Sequence, residues 1–212
     1  MSDTAPPRGS PAFWDARYAE DGAFYGEAPN VFLAEMAPRL PKGRAFLPAD
    51  GQGRNGLFLA QHGWDVTTVD LSPVAVARAR ETAAARGLMI DARAADLLDE
   101  PPAEGGYDVV AVFYLHVPTE IRRPIYASLA RAVAPGGMLI VEGFSPRTAT
   151  LPEEGRSHGP SENSDVVFTP DIIAEEFAPL TPIVCEEADV ILHEGPRHDG
   201  RAIVTRGLFR RD

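Results

Sequence analysis

The chain is poor in cysteine, in lysine, in long apolar runs and in net positive charge. Cys185 is the only cysteine among 212 residues, so no disulfide forms within the chain and a Cys-rich zinc site is excluded. A reducing, cytoplasmic compartment is the expectation that follows. Lys42 is the only lysine; the other basic residues are arginine. Lys plus Arg is 20 against 31 Asp plus Glu, a net charge of -11. An acid excess of that size argues against nucleic acid or an anionic membrane as partner. No apolar run reaches the roughly 20 residues that span a bilayer. The stretch 1–11 is polar and proline-rich, without the basic and apolar regions of a signal peptide.

What is present is ordinary for a globular enzyme-sized domain: 44% hydrophobic and 24% charged residues, enough chain for a core without staples. Short β-branched runs alternate with longer Ala/Arg-rich runs. That alternation predicts an α/β fold, a Rossmann-like, doubly wound and mostly parallel sheet. Strands are expected at 44–49, 65–70, 88–93, 107–114 and 138–143. Helices are expected at 55–62, from Ser72-Pro73 to before Gly87, and at 119–133. Ser72 is placed as N-cap with Pro73 at the first helical position. Pro135-Gly136-Gly137 is expected to stop the third of these helices. The stretch 145–165 lacks periodicity and is rich in Pro, Gly, Ser and Glu, so a mobile loop or lid is expected there. After a short helix at 170–177, strands at 183–192 and 201–209 are expected to pair as an antiparallel hairpin joined around 194–200. The whole of 1–212 is read as one domain, with 1–40 as an N-terminal lid segment.

The most informative segment is Ala49-Asp50-Gly51-Gln52-Gly53-Arg54-Asn55-Gly56, between the first strand and the first helix. Gly51 and Gly53 permit a sharp turn and close backbone approach to a ligand. Asp70 ends the next strand, about 20 residues on, where an acid accepts hydrogen bonds from ribose hydroxyls. Together they indicate a nucleoside-containing cofactor. The pattern itself leaves open a nicotinamide dinucleotide or another nucleoside.

Further motifs narrow the choice. Phe13-Trp14-Asp15-Ala16-Arg17-Tyr18 and Tyr25-Gly26-Glu27-Ala28-Pro29-Asn30 precede the loop. Val69-Asp70-Leu71-Ser72, Ala95-Asp96-Leu97-Leu98, Tyr107-Asp108-Val109-Val110 and Ala134-Pro135-Gly136-Gly137 follow it in order. This set resembles class I S-adenosylmethionine-dependent methyltransferases, within them the small tellurite-resistance and thiopurine-methyltransferase-like group. The resemblance implies S-adenosyl-L-methionine as cofactor, a seven-stranded sheet and a small-molecule acceptor, possibly a thiol or a chalcogen oxyanion. It implies cofactor contacts from Trp14, Tyr25, Asp50, Gly51, Gly53, Arg54, Asn55, Asp70, Leu71, Asp96, Leu97 and Tyr114. No metal is implied. The resemblance also meets a departure: the acid the family carries at the end of the first strand falls on Leu47, followed by Pro48 and Ala49. Asp50 is the nearest acid, either serving the methionine ammonium or capping the turn.

Three candidates stand out for chemistry at the acceptor. His116 follows the fourth strand at the carboxyl edge, either as general base or as a loop-capping histidine. His193 and Arg201 resemble, in spacing, a histidine and an arginine of the tellurite-type enzymes; the arginine that follows the histidine there is Glu194 here. A solvated hairpin turn would carry the same residues, and His198 and Arg197 of that turn rank below them. A non-catalytic module that binds the cofactor, and a NAD(P)-dependent oxidoreductase, are the alternatives to an S-adenosylmethionine-dependent methyltransferase. Oligomeric state has no signature in the sequence.

Overall fold

The apolar run Tyr107–Phe113 (β4) becomes the middle strand of a seven-stranded sheet and is buried on both faces. The computed structural model describes residues 6–7, 9–19, 22–23, 25–159 and 165–212. The part of the expected loop at 160–164 lies outside the described residues, as do positions 1–5, 8, 20, 21 and 24 of the expected lid segment.

The other strands are β1 (Arg44–Pro48), β2 (Asp65–Asp70), β3 (Asp91–Ala94), β5 (Val133–Phe144), β6 (Thr181–Gly195) and β7 (His198–Arg210). Their order across the sheet is β3-β2-β1-β4-β5-β7-β6. β1 to β5 pair in parallel, while β7 runs antiparallel to both β5 and β6. This is the expected Rossmann-like sheet with an antiparallel C-terminal hairpin. The helices are α1 (Pro11–Tyr18), α2 (Val31–Met36), α3 (Arg54–Gln61), α4 (Pro73–Ala85), α5 (Thr119–Ala132) and α6 (Pro170–Glu176). Ser72 caps α4 as expected: its Oγ accepts from Ala75 N at 3.1 Å, and Pro73 occupies the first turn.

Strand alternation sorts the core into two layers. Val110 and Val112 face a layer with Tyr126 and Leu129 of α5, Phe168, and Ile173 of α6. Val109, Ala111 and Phe113 face the opposite layer, with Leu33 of α2, Leu59 of α3 and Trp64. The sheet is therefore covered on both sides, and a ligand must approach from an edge. Among the described residues no helix is long and apolar enough to cross a membrane.

Three expectations differ in detail. β3 begins at Asp91 rather than Leu88, and Met89 is exposed. β5 starts at Val133, opposite Tyr107, and runs through Pro135-Gly136-Gly137 with a register shift between Tyr107 and Val109. Main-chain bonds from Gly136 N to Arg211 O and from Arg211 N to Gly137 O hold that irregular part against the chain end. Finally, β6 and β7 extend until only Pro196 and Arg197 separate them. Gly195 makes the turn at φ +140°, and a Cβ there would meet the Tyr25 backbone at 2.5 Å. The N-terminal segment thus lies directly across the hairpin turn.

The described part of the 145–165 stretch packs along β7. Thr148 Oγ1 donates to Ile203 O at 2.6 Å and accepts from Ile203 N at 2.9 Å. Ser157 N donates to Arg201 O, and Arg201 N to Gly155 O.

Candidate active site

The parallel strands change direction of winding between β1 and β4, and ligands of open α/β sheets bind in the crevice that this leaves at the carboxyl edge. Three segments converge there. The glycine loop leaves β1 with Ala49 at φ 52°, Gly51 at φ 56° and Gly53 at φ 85°. Ala49 adopts the left-handed region at a cost that glycine would avoid. Gly51 has no room for a side chain, since a Cβ would stand 2.5 Å from the Tyr18 hydroxyl oxygen.

Asp70, at the end of β2, is buried. Its Oδ2 accepts from Gly51 N at 2.8 Å and its Oδ1 from Ser72 N at 2.9 Å. Burial raises its pKa, against the two backbone donors. Each oxygen keeps one further acceptor position. The strand ends are tied together around it: Ala95 N donates to Asp70 O, and Ala49 N to Val69 O. Leu71 is half-buried beside it. Asp96 is half-buried with Oδ1 accepting from Leu98 N at 2.9 Å, while Leu97 is buried in the α5-side core.

Asp50 turns toward α3. Its Oδ2 accepts from Gly56 N at 2.9 Å, so it caps the first turn of the helix. Its Oδ1 is buried with no hydrogen-bond partner among the described residues, and burial pushes the carboxyl up to about 7. Leu47, at the position of the family's usual acid, is fully buried in the core.

The N-terminal segment closes over this edge. Asp15 Oδ1 accepts from Ser72 Oγ at 2.5 Å and from Val74 N at 3.3 Å, docking α1 on the start of α4. Half-buried Trp14 stacks on buried Tyr18, and Tyr18 meets Tyr25 edge-on. The aromatic chain continues from Tyr25 to His198 (5.1 Å between centroids), to Tyr114 (4.0 Å) and to Phe144 (5.0 Å). Tyr114 is held at φ 52° just after β4, a second strained residue at the same edge.

Arg54 and Asn55 begin α3, and both reach the N-terminal segment. Asn55 Oδ1 accepts from Asn30 N at 2.8 Å. Arg54 donates to Ala28 O at 3.2 Å and forms a 2.8 Å ion pair with Glu194 Oε2. Glu194 is 2% exposed and also accepts, at Oε1, from Asn30 Nδ2 and Val31 N, both at 3.1 Å. Burial opposes its ionisation, but His198, Arg54 and Val31 N together hold its carboxyl below the usual range. Asn30 Nδ2 also donates to Glu142, which pairs with Arg206 at 2.6 Å and accepts from the Tyr114 hydroxyl at 3.1 Å. A buried polar network thus locks the N-terminal segment, the start of α3, the end of β5 and the hairpin together.

The three residues singled out for acceptor chemistry are placed apart. His116 is half-buried with both ring nitrogens engaged: Nδ1 donates to Val166 O at 2.9 Å and Nε2 accepts from Phe144 N at 3.1 Å. Burial lowers its pKa to about 4. It fastens residue 166 to the end of β5, as a loop-capping histidine does. His193 and Arg201 lie on the outer face of the hairpin, paired with Asp199 at 2.9 Å and Asp189 at 2.6 Å. Strand parity is the reason. Leu192, Ala202 and Val204 point into the core, so the odd-numbered His193 and Arg201 point out, while the even-numbered Glu194 and His198 point in. The inward roles of Glu194 and His198 went unassigned at the level of sequence; extending this alternation to the turn identifies them. Among the described residues no three His, Cys, Asp or Glu side chains form a group that could hold a metal ion.

Residues 49–137 match the family described as a methyltransferase domain. A demethylmenaquinone methyltransferase of Thermus thermophilus is 34% identical over 100 residues, 46% of this chain and 46% of the relative. The chain thus spans about half the length of that relative. A protein solved in a study of the conversion of a disulfide bond into a thioacetal group during echinomycin biosynthesis is 25% identical. It superposes with a TM-score of 0.76 over 95% of this chain and 92% of its own. TehB from Haemophilus influenzae superposes with a TM-score of 0.70 at 17% identity, over 95% of this chain and 67% of its own, a likeness of fold. Over residues 49–137 the chain is therefore similar to a methyltransferase domain, and S-adenosylmethionine is the cofactor that this similarity implies. The residues fit it: Asp70 retains acceptor positions, the loop at Gly51 excludes side chains, and Asp50 Oδ1 is a buried acceptor with no partner among the described residues.

Proposed function

We propose that the chain is an S-adenosylmethionine-dependent methyltransferase acting on a small molecule, with a thiol or related soft nucleophile as acceptor. The carrying observation is the meeting of the glycine loop, Asp70 and the aromatic N-terminal segment at the gap between β1 and β4. In this reading Asp70 accepts from the ribose hydroxyls, Leu71 and Leu97 flank the adenine with Asp96 at its rim, and Asp50 offers Oδ1 to the methionine ammonium. Gly51 and Gly53 give the backbone close access, and Tyr114 lines the reacting end. Trp14, Tyr18 and Tyr25 exclude water above it. Arg54 and Asn55 hold the cover in place through Ala28, Asn30 and Glu194. His116 positions the β5 end. His193 and Arg201 stay on the outer face of the hairpin.

When bound, the cofactor supplies an electrophilic methyl group on a sulfonium. The chain's contribution is position and a dry, aromatic enclosure, which in favourable intramolecular cases is worth up to about 7–11 kcal/mol. The sulfur acceptor is supported by the disulfide-to-thioacetal setting of the similar echinomycin-pathway protein. The test is calorimetric titration of the ligand-free protein with S-adenosylmethionine and with NADH. Micromolar binding of the first alone is expected, and Asp70→Ala should weaken it at least about 100-fold while unfolding stays cooperative. Binding of NADH instead, or equal affinity in Asp70→Ala, overturns the assignment.

A further inference from the structure

Two buried side-chain atoms meet no hydrogen-bond partner among the described residues: Ser157 Oγ and Asp50 Oδ1. A hydroxyl left that way forfeits a hydrogen bond. A carboxylate left that way also keeps a charge out of water with nothing to offset it. Asp50 is the one acid of the glycine loop 49–56, since the end of β1 carries buried Leu47 instead. Its backbone is fixed by Gly53 N, which donates to Asp50 O at 2.9 Å. Its Oδ2 is fixed by Gly56 N at 2.9 Å, an approach that a side chain at position 56 would block. Arg54 does not supply the missing partner, because its guanidinium is directed to Glu194 and to Ala28 O. The arrangement is an anchored carboxyl with one oxygen waiting for a donor, at the loop where the cofactor is expected.

We propose that Asp50 makes cofactor binding proton-coupled: in neutral to mildly acid solution its carboxyl holds a proton while the site is empty, and the ammonium at the cofactor's amino acid end displaces it. This rests on the methyltransferase reading and deepens it, adding control by pH to the same site. The O–H bond of the carboxyl breaks and its proton leaves to solvent. The electron pair stays on the carboxylate, and the ammonium donates a hydrogen bond to Oδ1. Empty, the site avoids a buried anion with an unpaired oxygen. Occupied, it holds an ion pair whose second oxygen is already satisfied by Gly56 N.

The groups around Asp50 agree with that resting state. Burial raises its carboxyl to about 7, with Gly56 N, Arg54 and Asn55 of α3 acting against burial. Tyr18 of α1 faces both Asp50 and Asp70 of β2, and burial holds its hydroxyl well above 10, so it stays neutral. Asp70 is raised by burial too, yet both of its oxygens already accept from Gly51 N and Ser72 N. In the methyltransferase reading Asp70 answers to the ribose and Asp50 to the ammonium, so ligands with and without an ammonium tell the two acids apart. A bound ammonium favours the ionised carboxyl and lowers its pKa. Affinity for an ammonium-bearing ligand is therefore full above pH 8 and falls by about tenfold per pH unit well below 7.

The experiment is calorimetry on the full chain with two probes, each titrated in paired buffers of low and high ionisation enthalpy. S-adenosylhomocysteine has a neutral sulfur, so its ammonium is the one cation it brings. 5′-Methylthioadenosine keeps the nucleoside and the thioether and lacks the amino acid end. The dissociation constant of S-adenosylhomocysteine should rise about tenfold from pH 8 to pH 6. Its binding should release close to one proton at pH 6, about half at pH 7 and about a tenth at pH 8. 5′-Methylthioadenosine should bind within about twofold across that range without proton release. Asp50→Asn should bind S-adenosylhomocysteine with neither pH dependence nor proton release. Binding of S-adenosylhomocysteine at pH 6 with no proton released overturns the proposal. So does a pH dependence shared by both probes, or one that survives in Asp50→Asn. Should that variant not fold, the contrast between the two probes on the wild type decides. Binding of neither probe at any pH is a separate result: it overturns the methyltransferase reading, and the proposal with it.

Discussion

The two faces of the C-terminal hairpin carry the same chemical groups and are built for different ends. Outside, His193 pairs with Asp199 and Arg201 with Asp189, every side chain more than half exposed. Inside, Glu194 meets Arg54 and His198, all of them nearly sealed from water. Outward charges lose most of their attraction to solvent screening. Inward ones have given up hydration, so each must find its partners or raise the free energy of the fold. A histidine and an arginine at suggestive spacing therefore say little until the face is known.

The largest expected effect breaks the inner face. Glu194→Ala removes the ion-pair partner of Arg54, one of the two acceptors of Asn30 Nδ2 and the acceptor of Val31 N. Removing one member of a buried pair costs about 3–5 kcal/mol. Urea unfolding monitored by circular dichroism checks it, and a loss under about 1 kcal/mol would contradict the network described here.

A second, somewhat smaller effect shows itself through pH at His116. His116 has a folded pKa of about 4 against an ordinary 6.5, because burial disfavours its charged form. Its folded value is depressed, so the unfolded chain binds the proton more readily. The stability that depends on its neutral form is complete above pH 6.5. It declines as pH falls toward 4, by about 3 kcal/mol in all. His116→Gln should flatten that part of the stability profile; an unchanged slope between pH 6.5 and 4 would show that other groups cause it.

The smallest effect is expected on the outer face. His193→Ala and Arg201→Ala should each shift stability by about 0.5 kcal/mol or less, since exposed ion pairs contribute little. Methyl transfer should change less than twofold in either. A large loss of kcat in Arg201→Ala, with stability intact, would reverse the assignment of the two faces.

Much of this was legible in the residues. The apolar run at Tyr107–Phe113, the Ser72-Pro73 start of α4, the glycine loop and Asp70 at its strand end are local signals, and each element formed where its residues pointed. The hairpin was legible as two strands, yet its turn shrank from the expected 194–200 to Pro196-Arg197. That change moved Glu194 and His198 from a solvated loop into paired strands. Asp50 was open between two roles; Oδ2 caps α3, and Oδ1 meets no hydrogen-bond partner among the described residues.

Sequence by itself determined what depends on neighbours along the chain: which runs pair as strands, where helices begin, and where backbone must turn without a side chain. Only the tertiary structure decided which distant groups meet. Glu194 lies 140 positions from Arg54 and 164 from Asn30, yet all three share one buried network. No local propensity encodes such a meeting. It arises because a parallel sheet gathers its strand ends at one edge, and because a buried charge is tolerated only where the fold brings its partners to it.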